Sequence, residues 1–315
     1  MLFAQPDERP LVSVCVITYN HEKYIKAAVE SVLMQETDFP CEFIIGEDCS
    51  TDNTRKILQE YAERFPIRLL LPEKNQGAQQ NWKAVMQAAR GKYVAFFEGD
   101  DCWTDPQKLA KQFKALEDHP EAVLCYTNAK IFDTKNPDSN IYFREENKPP
   151  VFKNKYETVR SCPMPTCTIF FRNVLPELPA WSLKAYAGDY IQVALLAKYG
   201  GIYYLDEICG LHVHHYHGLS RAIPLEDFYY NDAPLYLNFL PYFNYESKYF
   251  DAVLERYIGT VDKLFHMKQF KRAIKLYWNL PFADILKYCL RIPNIIKQGV
   301  KLHFLFFLSK GRTYR

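Results

Sequence analysis

The chain has 315 residues, 39 Lys and Arg against 37 Asp and Glu, and a formal net charge of +2. Hydrophobic residues make up 48% and glycines number only 12, which excludes disordered, fibrous and collagen-like classes. The length suits one large domain, or one domain with an extension. No run reaches the ~20 apolar residues of a transmembrane helix, and the polar start Met1–Pro10 lacks the pattern of a secretory leader. Nine cysteines without a C-x-x-C pair read as reduced thiols, with zinc not indicated, so a cytoplasmic protein is expected. The charge is uneven. From Lys263 to Arg315 twelve Lys or Arg face one acid, Asp284, a local +11 that leaves −9 on the rest. Such a tail points to an anionic partner.

In chain order, Leu11–Thr18 is β-branched and apolar, a buried strand broken by Tyr19-Asn20-His21. Glu22–Gln35 carries apolar residues at helical spacing. Cys41–Gly46 is a second strand ending in Glu47-Asp48, and Ser50 or Thr51 is placed to cap the helix that runs to Phe65. Ile67–Leu71 is a short strand. A polar loop with Asn75 and Gly77 follows, then a helix over Trp82–Arg90 and a strand over Lys92–Glu98. The turn Glu98-Gly99-Asp100-Asp101 precedes a helix over Gln107–Glu117, and Ala122–Phe132 is again a strand. Strands alternating with helices imply parallel pairing, which brings the two acidic strand ends to one sheet edge.

Lys135–Lys155 reads as a polar surface loop. Cys167–Phe171 and Ile202–Leu205 are strands. Ala187-Gly188-Asp189-Tyr190 opens a helix through Tyr199, and Leu211–Ser220 holds four of the eight histidines. From Pro224 the texture turns to aromatic helices over Phe228–Phe243, Tyr249–His266 and Gln269–Asn279, then a basic, apolar end interrupted by Pro293. The expected organisation is an α/β domain over 1–223 and a helical, basic and aromatic extension over 224–315.

Three carboxylates within four residues repel one another unless a cation sits among them, and hard divalent cations take oxygen ligands. Taken alone, the turn fits a metal site and a solvated acidic turn equally. There is no G-x-G-x-x-G and no G-K-[ST], so dinucleotide and P-loop chemistry lose their support. A nucleotidyltransferase would want a basic, glycine-rich phosphate loop after the first strand, and none stands there.

Three segments in order decide the reading: VSVCVITYNHEKYIKAAVESVLMQ, FIIGEDCSTDNT and NQGAQQNWKAVMQAARGKYVAFFEGDD. Together they resemble family 2 glycosyltransferases of the inverting, bacterial surface-polysaccharide type, over Leu11 to about Phe132. The resemblance implies a GT-A fold, a Rossmann-like, mostly parallel sheet flanked by helices. It implies a nucleotide-sugar donor, most simply a UDP-sugar, and a saccharide or lipid-linked saccharide acceptor. By the same resemblance Thr18, Tyr19 and Asn20 form the turn under the nucleotide, with Tyr19 packed on the base. Glu47 and Asp48 stand where the family meets base or ribose, and Asn81, with Asn75 and Gly77, matches a loop near the nucleotide. Asp100 and Asp101 match the acidic pair that meets Mg²⁺ or Mn²⁺ and the sugar-diphosphate: Asp101 for the metal, Asp100 for sugar or metal, Glu98 for support. His214 aligns with a histidine near metal or diphosphate, and His212 and His217 read as bystanders. Asp189 corresponds to the general base, against the plain alternative of a helix cap.

Two departures stand out, Glu47 and Glu98 where aspartate is usual. A non-catalytic nucleotide-sugar or glycan-binding protein of the same fold is the alternative. The basic tail suggests a peripheral place on the anionic inner face of the membrane, and no nucleic-acid motif accompanies its charge.

Overall fold

A computed structural model describes residues 1–5, 7–143, 151–160, 164–175, 177–215 and 223–280. The sheet begins with three largely apolar and buried runs: β1 (Val12–Thr18), β2 (Cys41–Glu47) and β4 (Tyr93–Glu98), with the shorter β3 (Ile67–Leu70) beyond β2. Strands covered on both faces read as continuous apolar sequence, which is what these segments show. Between them lie α1 (Ile25–Leu33), α2 (Thr54–Ala62) and α3 (Ala78–Ala88). The second half adds β5 (Cys102–Trp103), α4 (Lys108–Asp118), β6 (Ala122–Asp133), β7 (Asn136–Tyr142), β8 (Val151–Lys153), β9 (Phe170–Arg172) and β10 (Gly201–His214).

Among the described residues the strands form one sheet in the order β3-β2-β1-β4-β9-β6-β10-β5, with β7 on β6 and β8 on β10. The four strands β3-β2-β1-β4 are parallel throughout, and β9 enters antiparallel to both β4 and β6. Thr18 pairs with Glu47 and Ile17 with Glu98, so the two acidic strand ends flank the end of β1 as parallel pairing requires.

The sequence reading of Lys135–Lys155 as a loop is corrected here. β7 and β8 lie within it, because backbone pairing to β6 and β10 forms a ladder without an apolar side-chain pattern. Ile202–Leu205 and the histidine run up to His214 merge into the single 14-residue strand β10, with bulges near Leu205 and Ile208. Ser50 and Thr51 do not cap α2, whose N-cap is Asn53.

The chain divides into two compact units. As far as they are described, the first holds Met1–Lys155, Pro163–Leu178 and Tyr199–Gly218, and the second holds Tyr156–Cys162, Pro179–Lys198 and Leu219–Arg315. The division differs from a break at 223/224, because the segment bearing Asp189 groups with the C-terminal helices. After α5 (Lys155–Arg160), these are α6 (Gly188–Leu196), α7 (Leu225–Tyr236), α8 (Phe239–Tyr242), α9 (Ser247–His266) and α10 (Phe270–Trp278). Their core is aromatic. Phe243 stacks on Tyr249 at 3.8 Å, and buried phenols find carbonyls, Tyr249 on Ala197 at 2.6 Å and Tyr257 on Leu276 at 2.7 Å. The end of the chain read as basic and apolar, Ile285–Leu308, lies outside the described residues.

One charge is wholly buried at the start of the helix that follows the acidic turn. Lys108, wholly buried at the start of α4, donates to Gln112 Oε1 at 2.6 Å and lies 4.1 Å over the Trp103 ring of β5. Burial pushes its ammonium down from 10.5 to about 8. Below pH 8 both folded and unfolded chains are protonated and the folded state carries the cost of a buried charge. Between about 8 and 10.5 the unfolded chain binds more protons, so stability rises with pH. We expect this rise, on the order of 3 kcal/mol across that window, to vanish in Lys108→Met; urea unfolding of both proteins from pH 7 to 10.5 measures it.

Candidate active site

The site is built from loops beyond the carboxyl ends of β1, β2 and β4, the edge where open α/β sheets bind ligands. The loop after β1 and the loop after β2 are laced together. The Asn20 N–H donates to Ser50 Oγ at 2.9 Å, and Thr51 N–H donates back to Asn20 Oδ1 at 2.8 Å. His21 N–H donates to Thr54 Oγ1 at 2.9 Å, and Glu22 N–H to Asp52 Oδ2 at 3.0 Å. Asn20 adopts φ 56°, a left-handed conformation that asparagine tolerates better than most residues. The lacing occupies Asn20 and leaves Tyr19 41% exposed, an aromatic face open at the sheet edge.

Two of the expected nucleotide-contacting acids have internal partners. Glu47 is fully buried, ion-paired with Arg55, and accepts the Ser50 N–H at 2.6 Å. Asp48 accepts Gln76 N–H and Gly77 N–H, each at 2.8 Å, one on each carboxylate oxygen, while Asn75 Nδ2 donates to its carbonyl. Asp48 therefore fixes the loop that the sequence placed near the nucleotide. Asn81 is buried, donating to the Gly46 carbonyl at 2.8 Å. A Cβ on Gly46 would stand 2.0 Å from its Oδ1, so that approach of α3 to β2 requires glycine.

The acidic turn after β4 is the centre. Gly99 permits it, since a Cβ there would lie 2.7 Å from Thr18 Oγ1 and 2.9 Å from Ile25. β5 then pairs antiparallel with β10, Trp103 opposite Gly210 and Cys102 opposite Leu211. That register carries the histidine run to the carboxylates. Asp101, 2% exposed, meets His212 Nδ1 at 3.0 Å and accepts Val213 N–H at 2.8 Å. Asp100 meets His215 Nε2 at 2.9 Å through Oδ2. His21 Nε2 lies 3.7 Å from the same oxygen, with its Nδ1 3.1 Å from Thr18 Oγ1. The ring of His215 stacks on Tyr24 at 4.8 Å.

The two aspartates are driven apart electrostatically. Burial raises the Asp101 carboxyl above the ordinary carboxylate range, and the neighbouring Asp100 adds to the rise. For Asp100 burial is outweighed by the His215 hydrogen bond and the charges of His21 and His215, which hold it below that range. Burial lowers His21 despite the adjacent Asp100.

His214, the histidine singled out in the sequence, is not the one on the carboxylates. Its ring packs against His212 at 4.8 Å and its carbonyl accepts from Thr134. His212 and His215 take the contacts: the β5–β10 pairing lays Leu211 opposite Cys102, next to the turn, and His215 lies just past the last residue of β10. His217 lies outside the described residues. In the second unit, Asp189 is exposed in the first turn of α6, whose N-cap is Ala187; Asp189 is therefore not the cap. The segment before it is held by buried Asp232, which accepts Tyr186 N–H at 2.8 Å and Ala187 N–H at 2.7 Å.

The residues fit a divalent cation. Asp100 Oδ1 is a buried carboxylate oxygen with no hydrogen-bond partner among the described residues, beside donors suited to a metal. Two groups of ligand-type atoms gather there, His21, Asp100 and His215, and Asp101, Cys167 and His212. In the second, Asp101 is already engaged by His212 and the Val213 amide.

Residues 13–178, more than half the chain, match the family described as Glycosyl transferase family 2, a span that contains both acidic strand ends. The chain belongs to glycosyl transferase family 2. It is 44% identical over 111 residues to a putative teichuronic acid biosynthesis glycosyltransferase, TuaG, of Bacillus subtilis, covering 34% of this chain and 42% of that one. It is 34% identical over 143 residues to the putative glycosyltransferase EpsH of the same organism (45% and 41%). Over 122 residues it is 47% identical to an uncharacterised protein of Mycobacterium tuberculosis (38% and 35%). The matches thus span well under half of these relatives. Among solved structures, residues 1–349 of Staphylococcus aureus TarS with UDP-GlcNAc align at TM-score 0.64 and 17% identity, over 95% of this chain and 91% of that one. A mannosyltransferase of Pyrobaculum calidifontis, with GDP-Man and Mn²⁺, aligns at 0.54 and 15% (96% and 87%). At these identities the likeness shows the fold alone, the GT-A arrangement of sheet and helices.

Removing the Asp48 clamp tests the loop architecture. Two charge-assisted hydrogen bonds are lost in Asp48→Ala, a destabilisation of roughly 3 kcal/mol. Hydrogen exchange should show the Gln76 and Gly77 amides opening far faster than those of β1; unchanged protection there would contradict the clamp.

Proposed function

We propose that this protein is an inverting, cation-assisted glycosyltransferase that moves a sugar from a nucleotide-sugar to a hydroxyl of a saccharide or lipid-linked saccharide. A UDP-sugar is the first donor to test, since TarS holds UDP-GlcNAc, and the name of TuaG points towards an envelope polysaccharide as acceptor. The observation that carries the reading is the acidic pair, Asp100 with its unpartnered Oδ1 and Asp101 anchored beside it, at the sheet edge that also presents exposed Tyr19.

Tyr19 supplies a flat aromatic face for the base, and the laced loop behind it keeps the face in place. Glu47, Asp48 and Asn81 shape the pocket from within, holding Arg55, the 75–77 loop and the β2–α3 approach. Asp100 and Asp101 are the carboxylates that would hold Mg²⁺ or Mn²⁺, the P. calidifontis enzyme being a fold neighbour with Mn²⁺. When bound, such a cation neutralises the diphosphate of the leaving group.

Asp189 is the proposed base. Its carboxylate takes the proton of the acceptor hydroxyl as that oxygen bonds to the anomeric carbon and the bond from that carbon to the phosphate oxygen breaks. Attack opposite the leaving group inverts the configuration. The proton stays on Asp189 until solvent removes it.

Donor transfer measured with UDP-, GDP- and dTDP-sugars tests the reading directly. We expect turnover of one donor class, lost in chelator and in Asp100→Ala. Asp189→Asn should lower kcat at least a hundredfold while UDP affinity, measured by calorimetry, stays within about threefold. UDP binding without turnover of any donor would instead make the protein a binding module.

We also place it at an anionic membrane surface. No helix among the described residues is long and apolar enough to cross a membrane. Lys263, Lys268, Lys271 and Lys275 are exposed along α9 and α10, and Trp278 is 58% exposed at the end of α10. Basic residues near such a surface contribute about 1 kcal/mol each. Reversing Lys271 and Lys275 to Glu should cut co-sedimentation with phosphatidylglycerol vesicles at least tenfold and leave neutral vesicles unaffected.

A further inference from the structure

Asp189 is exposed, yet buried groups of its own unit grip the residues on both sides of it. Ahead of it, buried Asp232 of α7 accepts the amides of Tyr186 and Ala187, one on each carboxylate oxygen. After it comes buried Tyr190, whose hydroxyl donates to the Val159 carbonyl of α5. The Tyr236 ring meets Tyr190 edge-on at 5.3 Å, and the Arg256 guanidinium of α9 lies 4.2 Å from the Tyr190 ring centroid. Asp232 and Tyr236 share one face of α7 at helical spacing, and Arg256 also lies 5.4 Å from the Tyr236 ring.

Packing alone does not account for Arg256. Its Nε is buried without a hydrogen-bond partner among the described residues, as is the Tyr236 hydroxyl, and the guanidinium meets ring faces instead. Apolar residues of similar volume fill an interior without the cost of a buried charge, whereas desolvation strengthens a cation on an aromatic face. The charge also has a carboxylate to act on. Burial raises the Asp232 carboxyl above its ordinary range, against the Ala187 and Tyr186 amides; Asp189 adds to the rise and the Arg256 charge opposes it.

We propose that Asp232 and Arg256 are positioning residues for Asp189, fixing the backbone ahead of it and the Tyr190 side chain after it. The proposal rests on the reading of Asp189 as the base. Because Asp189 Oδ1 accepts the Tyr190 N–H at 2.7 Å, the direction of its carboxylate follows the Tyr190 backbone. Arg256 holds that backbone through the ring, and its charge favours the ionised Asp232 that accepts two amides at once. Neither residue touches the reacting atoms. They set where the proton acceptor stands, and a displacement of about 1 Å at such a group costs about a hundredfold in rate.

Turnover and amide exchange of the full chain test this together. Arg256→Met and Asp232→Asn should each lower kcat about tenfold or more. The KM for the donor that the wild type turns over, and the affinity for UDP, should stay within about threefold. Arg256→Lys, which keeps the cation, should recover about threefold or more over Arg256→Met. In both charge-removing variants the Tyr186, Ala187 and Tyr190 amides should exchange faster, while that of Leu276 in α10 keeps its protection. Circular dichroism confirms folding, and the nearly isosteric Asp232→Asn carries the test should Arg256→Met not fold. Unchanged exchange at the three amides in the folded variants, or an unchanged kcat, would overturn the positioning role; an inactive Asp189→Asn would then still keep the base. An Asp189→Asn enzyme with wild-type kcat would overturn the base, and the positioning role with it.

Discussion

Burying two adjacent carboxylates is the demand that the rest of the first unit meets. Asp100 and Asp101 lie in the turn after a strand that is apolar up to Phe97, and two such charges side by side are costly unless opposed by donors or a cation. The fold supplies donors from a distant part of the chain. β5 turns back from the acidic pair and lies on β10, so the Val213 amide and the His212 ring reach Asp101 while His215 reaches Asp100. Asp101 is thereby satisfied within the protein. Asp100 is left with one oxygen unanswered, and that asymmetry makes the pair a site as well as a structural joint.

The neighbouring loops show how similar residues divide between support and exposure. Glu47 and Asp48 end β2 as Glu98 and the aspartates end β4, yet their oxygens turn to Arg55, to the Ser50 amide and to the amides of Gln76 and Gly77. Hydrogen bonds to a charged acceptor are stronger than neutral ones, so a few carboxylates can hold loops that have little apolar surface to bury. With Asn20 and Asp52 occupied in the same way, Tyr19 is presented by a rigid frame.

The second unit repeats the device. Buried Asp232 takes the amides of Tyr186 and Ala187, just before the helix whose first turn exposes Asp189. No side chain caps that helix among the described residues, so Asp189, whose Oδ1 accepts the Tyr190 N–H, does not take the capping role that was its alternative reading in the sequence. Around it the aromatic core is held by phenol-to-carbonyl bonds, while the lysines of α9 and α10 remain outside.

Much of this was legible in the chain itself. β-Branched runs at Val12–Thr18 and Cys41–Glu47 and amphipathic helices between them specify parallel βα units, because covered strands must be apolar on both faces. Parallel pairing alone then gathers Thr18, Glu47 and Glu98 at one edge. The order of three motifs was enough to indicate the family. Tertiary structure decided what local pattern leaves open. Polar residues of Lys135–Lys155 pair as strands because their backbone finds β6 and β10. Of the described histidines in that run, His212 and His215 rather than His214 meet the carboxylates: the β5–β10 register brings His212 beside the turn, and His215 lies just beyond the strand, where its alternation no longer applies. Likewise, whether a carboxylate at a strand end faces inward or towards a ligand depends on which amides and cations come near it; for Asp48 and Asp101 those come from residues tens of positions away.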